Sequence, residues 1–168
     1  MELNREQPRQ QFDVGFERID YQLTRYAAKY GLIALRVSIG VIFFWFGALK
    51  LFPGLSPAEG LIFETMPAWV PMDLFYPFLA IWEIVIGLGF IIGGKLLRHT
   101  ILLMLLHMPG TASPLVLNPD AVWTVFPFGL TLEGQYIIKN LILVSAAVVV
   151  GAVVRGGYIS NEPQADNR

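Results

Sequence analysis

The chain has 168 residues, a formal net charge of −1 and 55% hydrophobic residues, with a mean hydropathy of +0.56, too apolar for an ordinary soluble domain and without the basic excess of a nucleic-acid binder. It contains no cysteine, which excludes disulfides, CxxC redox pairs, thiolate metal ligation and cysteine nucleophiles. With two histidines, no metal centre is expected, so any electrons must be carried by a bound organic cofactor or a partner subunit.

In chain order, residues 1–30 form a polar, cytoplasmic arm. Its first ten residues, with Pro8, read as a disordered end. Phe12, Phe16, Ile19, Leu23, Tyr26 and Tyr30 then recur at alternating spacings of four and three, with Glu17, Arg18, Asp20, Arg25 and Lys29 on the other faces. That period predicts an amphipathic helix, lying in the membrane interface or docking a protein partner or a second copy. The polar arm is too long for a secretory signal and lacks a small-residue cleavage site, so the first apolar helix is expected to be retained.

Four apolar segments follow, Gly31–Phe52, Leu74–Gly94, Leu96–Leu117 and Gln135–Val154, each long enough to cross about 30 Å of hydrocarbon. The expected fold is all-α: a four-helix transmembrane bundle over 31–155 with an N-terminal amphipathic helix and a disordered tail over 156–168. Lys and Arg crowd the N-terminal arm, the connection at Lys95 and Arg98, and Arg155, whereas 53–73 and 118–134 have none. Both termini are therefore expected on the cytoplasmic side of a bacterial inner membrane, with two longer connections outside. In the first of these, Ser56-Pro57-Ala58-Glu59 reads as a capping box opening a short helix. Asn118-Pro119-Asp120 reads as another helix start, and Trp69 and Trp123 suit an interfacial belt.

Each segment carries ionisable residues that a purely structural span would lack: Arg36 and Lys50, Glu83, His107, and Lys139. Such groups cost roughly 2.5–3.5 kcal/mol each at the bilayer centre and usually face a bundle interior. Arg36, Gly40, Phe43, Gly47 and Lys50 share one face of the first helix, and Tyr76, Ala80, Glu83 and Gly87 share one of the second. His107, Gly110, Thr111 and Pro114 cluster in the third. In the fourth, Lys139 precedes an Asn140, Ala147, Gly151 stripe. Small residues let helices approach in lipid, so these are the expected inward faces. At about 1.5 Å rise per residue, Glu83 and His107 lie near the midplane, with Lys139 and Lys50 nearer the outer surface and Arg36 nearer the inner.

Glu83 is the first candidate. A carboxylate at that depth must be paired or protonated, with Lys139, Arg36 or His107 as the expected partners. Two readings stand: an ion pair that fixes helix register, or a proton-handling or headgroup-binding site. His107 either bonds a backbone carbonyl freed by Pro109 or relays protons. Lys50 either joins the site or snorkels to the surface.

The motifs Arg36-(x)10-Gly47-x-x-Lys50, Trp82-Glu83-Ile-Val-Ile-Gly87 and Gly134-Gln-Tyr-Ile-Ile-Lys139-Asn140 resemble those of the DoxX-like family of small membrane proteins, over roughly residues 31–155. The resemblance implies a four-helix integral membrane protein, with relatives that serve as membrane subunits of a thiosulfate–quinone oxidoreductase or accompany oxidative-stress proteins. It marks Arg36, Lys50, Glu83 and Lys139 as the family-like polar positions. The leading expectation is a quinone-linked redox component in which Glu83, Lys139 and His107 do the chemistry. Arg36, Lys50, Trp45 and Trp82 would hold the cofactor. A non-enzymatic accessory or assembly subunit is the alternative, and transport of a small anion ranks last.

Overall fold

The computed structural model describes residues 7–154 and Gly157, with side chains from Phe16 onward. The expected disorder at 1–6 and in the 156–168 tail falls outside the described residues, Gly157 apart. The chain divides into two compact units, one up to Leu35 and one from Arg36.

The first unit is the leading part of helix α1 (Gln7–Leu49). Residues 7–10 are helical rather than disordered, because Pro8 sits in the first turn, where its missing N–H is not needed. Phe16, Ile19, Leu23 and Tyr26 form an apolar row that is more than half exposed within this unit. Tyr26 stacks on Tyr30 with centroids 6.2 Å apart, and the Lys29 ammonium lies 5.0 Å from the Tyr30 ring centre.

The second unit holds the rest of α1, then α2 (Glu59–Thr65), α3 (Met72–Ile92), α4 (Leu97–Ala112), α5 (Pro114–Leu117), α6 (Pro119–Val122), strands β1 (Trp123–Val125) and β2 (Gly129–Leu130), and α7 (Leu132–Ala152). Four helical stretches, Phe16–Leu49, Met72–Ile92, Gly94–Leu117 and Leu132–Ala152, are long and apolar enough to cross a membrane. The protein is thus a multi-pass, all-α membrane protein with two long connections at one end of the bundle and one short connection at the other.

Several boundaries differ from those expected, each for a local reason. Helix α1 stops at Leu49 rather than Phe52, since the residue before Pro53 is pushed out of helical geometry and Gly54 turns the chain at φ +76°. The short helix α2 is present, but Ala58 and not Ser56 stands at its N-cap, without a side-chain cap bond. Glu59 instead reaches back to accept from the Gly54 N–H at 2.8 Å. Asn118 does sit at the α6 N-cap, though its side chain makes no cap bond. The last span begins at Leu132, three residues before Gln135, because Thr131 caps it by accepting from the Gly134 N–H at 3.1 Å. The β1–β2 hairpin was not foreseen. It pairs Trp123 with Leu130, in a segment whose turn residues give no two-residue hairpin signal.

Ile39, Ile86, Phe90, Met104, Val122 and Val150 are fully buried and form the core of this unit. Close helix approach lets them meet. A Cβ on Gly47 would stand 2.9 Å from the Ala80 carbonyl and 2.9 Å from the Glu83 Cβ, so α1 and α3 touch backbone to backbone through small residues.

Candidate functional site: a buried lysine–glutamate–histidine cluster

The site forms where the inward stripes of α1 and α3 meet α4. Tyr76, Ala80, Glu83 and Gly87 are all buried on α3, and Gly40, Phe43 and Gly47 on α1, as their spacing predicted. Side chains on a helix lean toward its N-terminus. Lys50, just past the end of α1, therefore leans back into the bundle, while Glu83 on the antiparallel α3 leans toward it.

Lys50 Nζ donates to Glu83 Oε2 at 2.6 Å, and the two side chains are only 4% and 8% exposed. Lys50 does not snorkel to the surface. The expected partners Arg36 and Lys139 are not the ones that satisfy Glu83. Desolvation makes a lone buried charge costly, and this pair neutralises both members at once.

His107 completes the cluster from α4. Its Nε2 stands 3.2 Å from Glu83 Oε1, where a protonated ring would pair with the carboxylate. Nε2 has no hydrogen-bond partner among the described residues although it is buried. The imidazole is walled by Phe43, edge-on at 5.9 Å between centroids, and by Trp82 at 6.4 Å. Trp82 is half-buried, and its Nε1 donates to the Leu103 carbonyl at 3.3 Å, which fixes the indole beside the cluster.

Three sequence candidates lie elsewhere. Arg36 sits toward the short-connection end, where Nη1 donates to the carbonyls of Phe90 at 2.8 Å and Ile91 at 3.3 Å. It serves the C-terminal end of α3, where a cation is favoured by the helix dipole. Gly93 follows at φ +73°, and a Cβ there would collide with the Arg36 guanidinium. Trp45 is 62% exposed. Lys139 is exposed on α7, with its ammonium 5.3 Å from the Tyr136 ring centre. Its neighbour Asn140 is the residue that turns toward α4, donating to Thr111 Oγ1 at 3.4 Å. Along a helix one residue is about 100° of rotation, so Lys139 and Asn140 cannot both face inward.

Two polar groups near the cluster were not singled out as site residues from sequence. Tyr76 and Ser56 are each 7% exposed, lie beside each other, and have hydroxyls with no hydrogen-bond partner among the described residues. Tyr76 shares the Glu83 stripe, which is the signal that could have found it. Ser56 had been read as a cap.

Chemically, the cluster offers a carboxylate already held by one cation, an imidazole nitrogen with free hydrogen-bonding capacity, and an aromatic wall. No group of three or more metal-ligating side chains occurs among the described residues. No family model matches the chain, and no curated protein or solved structure matches it significantly.

Proposed function

We propose that the chain is a quinone-linked component of a bacterial inner-membrane redox system, with both termini cytoplasmic and the Lys50–Glu83–His107 cluster as its site. The observation that carries this reading is His107 Nε2, buried, unpartnered and beside a carboxylate that Lys50 already neutralises. Buried polar atoms in native proteins almost always have a partner, and a ring carbonyl in an apolar slot suits a donor walled by Phe43 and Trp82. In its N–H form Nε2 would donate to a ring carbonyl oxygen, and Glu83 would exchange a proton with that oxygen. A bound quinone would supply two-electron, two-proton chemistry, with the electrons exchanged with a redox partner protein. The DoxX-like motifs over 31–155 point the same way. Lys139 and Trp45 have no place in this version of the site, and Arg36 acts only in holding α3.

The protein purified in gentle detergent should retain quinone through lipid extraction and bind added quinone. His107→Ala and Glu83→Gln, verified as folded by circular dichroism, should lose it. Wild type that neither retains nor binds quinone ends this reading.

A second reading, an accessory subunit without its own ligand, draws support from the exposed Phe16–Ile19–Leu23–Tyr26 row. Deleting residues 1–30 should then release a co-purifying partner while leaving the bundle folded. Partner recovery unchanged by the deletion counts against it.

A further inference from the structure

Tyr76 Oη and Ser56 Oγ are the two other buried side-chain atoms without a hydrogen-bond partner among the described residues. They lie beside each other, at the bundle end that carries the long connections. Ser56 belongs to the α1–α2 connection and Tyr76 to the second turn of α3. Phe63 of α2 packs edge-on to the Tyr76 ring at 5.4 Å, and the fully buried Ala80 lies one turn further along the stripe. Phe63 and Ala80 thus supply apolar walls, while the carboxylates of Glu59 and Glu83 lie within electrostatic range of the Tyr76 hydroxyl.

We propose that Ser56 and Tyr76 are the first two links of a hydrogen-bond path, completed by water, that carries protons between the long-connection end of the bundle and Glu83. Three arguments support it. A hydroxyl both donates and accepts, so a pair of them can pass a proton in either direction. Tyr76 and Ser56 lie close enough to pass a proton to each other, and each hydroxyl keeps further hydrogen-bonding capacity for a neighbouring water. Tyr76 and Glu83 share one helix face about 10 Å apart along the axis, too far for a direct bond and within reach of a short water chain.

At each link one O–H bond breaks as the next forms. A proton taken from bulk water ends as an O–H on the Glu83 carboxyl, and no electrons move. The ionisable groups facing this route are Lys50 and Glu83 themselves, His107 from α4, and Glu59 from α2, while Lys139 on α7 is turned away. The inference rests on the proton-exchanging role given to Glu83 above. It adds the route and the side from which the site is served.

The test is a pH jump on the protein in lipid nanodiscs, followed by time-resolved infrared spectroscopy of the Glu83 carboxyl band, identified by its loss in Glu83→Gln. Tyr76→Phe and Ser56→Ala should each slow proton exchange at Glu83 tenfold or more, with quinone binding unchanged. Wild-type rates in both variants overturn the path. If Tyr76→Phe does not fold, Ser56→Ala decides alone, since it removes one hydroxyl from a connection outside the spans. A wild type that binds quinone while its Glu83 band never responds to pH refutes the path and the proton-exchanging role of Glu83, and leaves quinone binding standing. A wild type that binds no quinone, with exchange still slowed in both variants, refutes the quinone reading and supports the path.

Discussion

At the scale of single residues, Lys50 and Glu83 are two charges that tolerate the bundle interior only together. Removing one partner leaves the other buried and uncompensated, at a cost of roughly 3–5 kcal/mol. Lys50→Met and Glu83→Leu should each destabilise by about that much in a denaturation series. The double variant should be more stable than either single one, because an apolar pair carries no uncompensated charge. If the double variant retained quinone binding, the pair would be structural and Glu83 no part of a site. Arg36→Leu belongs to a different class. It removes two bonds to the α3 carbonyls, so a loss of about 1–2 kcal/mol is expected. Quinone binding measured on the same sample should not change.

At the scale of elements, the site depends on how closely α1 and α3 approach. Gly47 lies against the Ala80 carbonyl and Glu83 Cβ, so any larger side chain must push the helices apart by ångströms. Gly47→Leu should therefore separate Lys50 from Glu83. Expected readouts are a lowered unfolding temperature and loss of the ligand together, whereas Gly110→Ala, whose added Cβ meets nothing within 4 Å, should leave both intact. Helix α7 is held at its start by the Thr131 cap. Thr131 Oγ1 also donates to the Ala121 carbonyl at 2.7 Å, tying α6 to the last span. Thr131→Ala should cost about 1 kcal/mol or more, seen as a lower unfolding midpoint with the cluster unaffected.

At the scale of the whole molecule, the four apolar helices predict an even number of crossings, and the proposed topology puts both chain ends on one side of the membrane. Reporter tags at the two ends should respond alike to protease in sealed vesicles, and opposite protection would require an odd number of spans. The long connections, with Trp69 82% exposed and Phe128 90% exposed, share one end of the bundle. Aromatic rings of this kind are favoured at the membrane interface.

Much of this was legible from the chain alone, because apolar length sets the number of spans and the repeat of small and polar residues marks the inward faces of α1 and α3. The resolution of sequence spacing ran out at α7, where Lys139 and Asn140 differ by a single residue and hence by about 100° of helix rotation. What the sequence determined was therefore the four apolar helices, the inward faces of α1 and α3 and the candidacy of Glu83. What tertiary structure alone decided was pairing. Side chains lean toward their own helix N-terminus, so Lys50 and Glu83 on antiparallel helices converge while Arg36 leans away toward the end of α3. Depth is a property of one helix, but the direction in which two side chains meet is a property of the pair.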